Sequence, residues 1–136
     1  MKKDLTIVLL CFIIFFTSNA QTQIAAGERT DGVWSELRNE WDIVNKENDG
    51  TTYFEFNDNF TFLTHKTPST VSIYKLNLQK YDSKYQYFNF DAVSDSGHKY
   101  TMVVDYEKRL IRFTYKDEYE KTRLVQHNIK KLTFME

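Results

Sequence analysis

From residue 51 onward apolar and polar side chains alternate along the chain, the period of strands with one buried and one wet face. The stretch "YFEFNDNFTFL" (53–63) is the clearest case, with phenylalanines at every second position around Asn57-Asp58-Asn59. The pattern predicts strands at 51–57, 60–66, 71–80, 85–93, 98–106, 109–116 and 122–134, the last broken near Lys130-Lys131. A three-residue turn at Asn57–Asn59 would set Phe56 opposite Phe60 and Phe54 opposite Phe62, placing four rings on one face. A second turn, Asp82-Ser83-Lys84, sets Leu78 opposite Phe88, Leu76 opposite Phe90 and Tyr74 opposite Ala92. The loop "VSDSG" then pairs Phe90 with Tyr100 and Phe88 with Met102. A two-residue Glu107-Lys108 turn pairs Val104 with Ile111, Met102 with Phe113 and Tyr100 with Tyr115. A one-residue slip would reverse every face, so the agreement of four hairpins on one apolar side carries weight. Val71 and Ile73 fall on the other parity, which predicts a β-bulge near Ile73.

Before the alternation, residues 21–32 ("QTQIAAGERTDG") have little pattern and are expected to form a flexible leader. Val33, Trp34, Leu37, Trp41 and Val44 recur at helical spacing, with Asp31 placed to cap the start. Trp41 and Ile43 also alternate around Asp42. The segment is therefore read as a short helix to about Asn39 and a strand from Glu40 to Asn45, closed by an Asp49-Gly50 turn. With that strand the count is eight, which favours closure of the meander into a barrel over an open sheet. The expected fold is all-β: an antiparallel up-and-down meander of about eight strands closing into a small barrel, with a short N-terminal helix.

The N-terminus changes the setting. Lys2 and Lys3 precede an apolar run from Leu5 to Phe16 and the small residues Ser18 and Ala20, the form of a secretory signal peptide cleaved after residue 20. This run of about twelve residues at 1.5 Å each reaches about 18 Å, short of a hydrocarbon core about 30 Å thick. Leu10 before Cys11 does not suit lipid attachment. Residues 1–20 contain the single cysteine, so the mature chain has no disulfide, and 33–136 is expected to be one β-barrel domain held by packing alone. Export to the periplasm or the medium is expected, and the Lys, Asn, Tyr, Phe and Ile content suggests an AT-rich bacterial genome. Losing Lys2, Lys3 and Asp4 moves the formal net charge from −1 to −2. No basic stripe is present, which argues against a nucleic-acid binder.

Trp41-Asp42-Ile43-Val44-Asn45 followed by "TTYFEFNDNFTFL" resembles the first strand and Phe-rich hairpin of the small exported lipocalin-like proteins of bacteria, within the calycin group. Asn39 stands where that family has a glycine. Gly32-Val33-Trp34 keeps the glycine spacing, so the alternative is a first strand that begins earlier and replaces the helix. The resemblance implies a barrel that binds a small, mainly apolar molecule. It also implies a tryptophan closing the barrel floor and a basic residue, Arg123, packed over it.

Catalytic constellations are absent from the sequence, and no enzyme activity, cofactor or metal is expected. His65, His98 and His127 belong to no recognisable metal or nucleophile motif. His127 alternates with Val125 and Ile129 and is expected inside; His65 and His98 sit near hairpin ends and are expected in solvent. "NKENDG" and "VSDSG" lack the ligand order of a calcium loop, and the sequon Asn59-Phe60-Thr61 falls in a tight turn. Core filling accounts for the phenylalanines. The inward tyrosines each bring a hydroxyl that needs a partner, so Tyr74, Tyr100, Tyr115 and His127 are the candidate ligand-binding residues. The competing reading is a solid barrel that meets a protein partner through outer tyrosines Tyr53, Tyr81, Tyr85 and Tyr87.

Overall fold

The computed structural model describes residues 21–48 and 50–135, and among them the chain forms nine antiparallel strands and no helix. The segment expected to be a signal peptide, 1–20, and Asp49 of the expected turn lie outside the described residues. The strands are β1 (Gln21–Ser35), β2 (Glu40–Glu47), β3 (Thr52–Phe56), β4 (Phe62–Lys66), β5 (Val71–Asp82), β6 (Tyr87–Ser94), β7 (Lys99–Asp105), β8 (Leu110–Lys116) and β9 (Thr122–Met135). From β3 to β9 each strand pairs with the next, and β9 pairs back onto β1. The result is an eight-stranded up-and-down barrel, compatible with a lipocalin-like fold.

The eighth strand is not the expected one. β1 takes that place: its first half pairs with β3 (Thr22 to Ala26) and its second half with β2 (Arg29 to Ser35), so β2 and β3 follow one another along the same edge. The expected flexible leader and the first residues of the expected helix are strand, and the rest of that helix is a turn over Glu36–Asn39. Three irregularities, at Ala25/Ala26, Gly27/Arg29 and Asp31/Gly32, break the period of β1 and hide it from an alternation test. The apparent helical spacing joins side chains from three different elements. Trp34 on β1 faces Trp41 on β2 with ring centroids 5.2 Å apart, edge to face, while Leu37 projects from the turn into solvent. Neither tryptophan closes the barrel floor, because this hairpin extends beyond the opposite end.

Register explains which side chains point inward. β7 and β8 pair as expected, Val104 opposite Ile111 and Met102 opposite Phe113. In the two preceding hairpins the partners lie two residues further along, Leu76 opposite Ala92 and Phe90 opposite Met102. An even displacement leaves the faces unchanged. The bulge lies at Leu78/Lys80 rather than near Ile73, and it turns Tyr81 inward onto Phe88, at 4.5 Å between ring centroids. In the Phe-rich hairpin the displacement is odd: Phe56 faces Leu63 and Phe54 faces His65. Phe62 consequently points out, with 46 % of its surface exposed, and His65 points in. The cause is Asn57, whose side-chain oxygen accepts from the N–H groups of both Thr61 and Phe62 (2.9 Å each) and so supports a longer loop. A further irregularity in β9, where Ile129 and Lys131 face the adjacent Ala26 and Ala25, matches the expected break near Lys130.

Phe54, Phe56, Leu63, Phe90, Met102 and Ile111 are the largest fully buried side chains and form the middle layer of the barrel. Each contributes about 1.5–3 kcal/mol by leaving water. This layer separates the two barrel ends. One end carries the loops after β4, β6 and β8, and the other carries the loops after β3, β5 and β7 together with the first residues of β1.

Candidate functional site

The end bearing the loops after β4, β6 and β8 opens into a cavity of about 900 Å³. All four residues singled out from the sequence, Tyr74, Tyr100, Tyr115 and His127, line it. They come from β5, β7, β8 and β9, the inward positions of which converge at this end. The tyrosines form a chain of edge-to-face contacts, Tyr74–Tyr100 at 5.7 Å and Tyr100–Tyr115 at 5.3 Å between centroids. Phe113 backs the chain, 5.6 Å from Tyr74 and 6.0 Å from Tyr100. The three rings are half-buried, and their hydroxyls have no hydrogen-bond partner among the described residues. Burial, and then the neighbouring phenol, raises the pKa of Tyr74 and of Tyr100, so both hydroxyls stay protonated and able to donate.

The floor holds a residue expected in solvent. His65 lies in the barrel beside His127, ring centroids 5.8 Å apart, and stacks on Phe54 at 4.3 Å. The hydroxyl of Thr52 donates to the carbonyl of Lys66 (2.9 Å) and lies 2.6 Å from Nε2 of His65. Its proton is committed, so it accepts from an Nε2–H, which assigns that tautomer to His65 and leaves Nδ1 with a free lone pair. His127 is 6 % exposed, as expected of an inward residue, and its Nδ1 lies 3.4 Å from the carbonyl of Gly27. Burial, the neighbouring His127 and Arg29 together lower the pKa of His65 to about 4. Burial lowers that of His127 also, against the opposing pull of the Gly27 carbonyl. Both imidazoles are therefore neutral at pH 7 and present acceptors. They form no cluster of three metal-ligating groups with any Cys, Asp, Glu or further His among the described residues.

Charged groups stand at the rim. Arg123 pairs with Asp117 at 2.8 Å and Arg29 with Asp31 at 2.9 Å, while Lys99, Lys116 and Glu118 line the mouth. The ion pair to Arg123 and the backbone N–H of Lys121 hold the Asp117 carboxyl below its usual pKa. Arg123 makes no ring contact with either tryptophan, contrary to what the resemblance implied. His98 is exposed on the rim, as expected.

The outer tyrosines do not assemble into one patch. Tyr81 is inside, Tyr85 sits on the loop after β5 against Lys84, Tyr87 is half-buried, and Tyr53 lies on β3, with β4 and β5 between it and β6. Alternation misses His65 only because of the turn beside it; Leu63 and His65 do alternate with Thr64 and Lys66, and that signal would have placed both inside. Arg29 carried no signal, since β1 itself was hidden. Compared with family models, with curated proteins and with solved structures, the chain matches none of them.

Proposed function

We propose that this is an exported, non-catalytic, lipocalin-like binding protein that carries a small organic molecule in the cavity above His65 and His127. The observation that carries the reading is the meeting of Tyr74, Tyr100, Tyr115 and the two neutral imidazoles, from five different strands, around one cavity of ligand size. A molecule suited to this lining lays flat surface against the tyrosines and Phe113. It also brings at least one hydrogen-bond donor to the imidazole lone pairs. The lining thus asks for more polarity than the mainly apolar ligand expected from the sequence.

Native mass spectrometry of protein taken from its own host compartment tests this. The proposal expects a retained small molecule. Tyr100→Ala, which removes a ring and a hydroxyl from the middle of the tyrosine chain, should weaken its binding at least tenfold, equivalent to about 1.4 kcal/mol. Retention of a protein partner instead, or binding unchanged in Tyr100→Ala, would overturn it.

A further inference from the structure

The opposite end of the barrel holds a second cavity of about 210 Å³, under the loops after β3, β5 and β7. We propose that it is a separate binding site for a small, uncharged aromatic molecule of one or two fused rings. Among the described residues, none of the eleven that line it carries a charge at neutral pH, in contrast to the rim of the larger cavity. Phe56, Phe60, Phe88 and Phe90 supply ring walls: Phe88 and Phe90 are inclined by 2°, Phe60 and Phe88 by 21° and Phe56 and Phe90 by 28°, while Phe56 and Phe60 are tilted by 45°. Flat walls of this kind favour a flat guest, through offset stacking.

The loops hold this shape at a cost. Phe60 adopts φ of 57°, a left-handed conformation unfavourable for a bulky side chain. That conformation brings its ring to 5.4 Å from Phe56 and 6.0 Å from Phe88, over the cavity. Asn57 secures the same loop by accepting from two backbone N–H groups. The N–H of Tyr106 donates to the carbonyl of Gln86 at 3.0 Å, tying the other two loops together. Water gains little in a site so poor in polar groups, and an apolar cavity of about 150 Å³ already suffices for benzene. The observed volume therefore suits guests from benzene to naphthalene.

The middle layer of Phe54, Phe56, Leu63, Phe90, Met102 and Ile111 lies between the two cavities. Occupancy of this end is accordingly independent of Tyr100. Titration of the protein with naphthalene, followed by the fluorescence of the probe, should give saturable binding at one site. Val104→Phe, which adds a ring to the cavity wall, should weaken it at least tenfold, whereas Tyr100→Ala should change it by less than twofold. Val104→Ala, which enlarges the cavity, should shift preference from benzene toward naphthalene, and it keeps the test decisive if Val104→Phe does not fold. Absence of saturable naphthalene binding, equal loss in Tyr100→Ala, or unaltered preference in Val104→Ala would overturn the proposal. A failure of the larger cavity to hold a ligand would leave each of these readouts unchanged.

Discussion

Replacing Phe54 by Ala should remove about 3–5 kcal/mol of stability, while replacing Phe62 by Ala should cost less than about 0.5 kcal/mol. The two residues belong to the same alternating phenylalanine series, and a register that placed all four rings inside would make them equivalent. The difference arises from Asn57, whose bonds to Thr61 and Phe62 lengthen the loop by an odd number of residues and reverse the faces of β4. Phe54 is fully buried, stacks on His65 and stands 5.4 Å from His127 and 6.1 Å from Phe113. Its removal leaves a cavity beneath both imidazoles that no neighbouring main chain can close without breaking a sheet ladder. In a domain with a total stability of about 5–15 kcal/mol, that loss brings the variant near or past unfolding at moderate temperature. Urea denaturation of the two variants beside the wild type measures the contrast. Equal losses would mean that β4 pairs in the other register.

Acid should weaken the fold well above the range in which carboxylates titrate. His65 has a pKa of about 4 in the folded protein, against an ordinary value of 6.5. Between those values the unfolded chain binds a proton that the folded chain refuses, so stability rises with pH across that window. The contribution is fully present above about pH 6.5, falls as the pH drops toward 4, and changes little below. A displacement of that size corresponds to on the order of 3 kcal/mol. His127 adds to it in the same direction, since its pKa is lowered too. The groups facing this pair are Arg29, Thr52, Phe54 and the other imidazole, with Asp31 acting on His127 in the opposite sense. Burial is what chiefly opposes protonation of His65, and His127 and then Arg29 add to it. His65→Phe keeps a ring on Phe54 and leaves the Thr52 bond to Lys66 intact, so it should flatten the loss between pH 6.5 and 4.5 to less than half. Denaturation midpoints measured at several pH values, with the slope unchanged, would show this; an equally steep loss in the variant would place the titrating group elsewhere.

Much of this arrangement was legible in the chain. Strands β3 to β9 follow directly from alternation, and Tyr74, Tyr100, Tyr115 and His127 converge because inward parity at one barrel end is a property of sequence spacing alone. Loop lengths were less legible. Asn39, Phe60, Gln86, Arg109 and Glu120 all take positive φ, and none is glycine. Three of these, Asn39, Gln86 and Arg109, close four-residue loops, and Phe60 and Glu120 stand fourth in five-residue ones, all without the glycine that would signal a left-handed position. An even error in those loops cost nothing, as with β5 to β7, whereas the odd one at Asn57 hid His65. β1 was hidden for a different reason. Its bulges, together with the small residues Ala26 and Gly27, erase the period that would identify a strand. The segment also supplies Arg29, so the electrostatic partner of the histidine pair disappeared with it.

The most direct test of the ligand site is the imidazole nitrogen spectrum of His65 and His127, recorded by NMR while a molecule retained by the native protein is titrated back. The account predicts that both rings are neutral at pH 7, that His65 carries its proton on Nε2, and that the unprotonated nitrogens of both shift together in proportion to occupancy. A molecule that binds tightly while both sets of ring nitrogens stay still would contradict it.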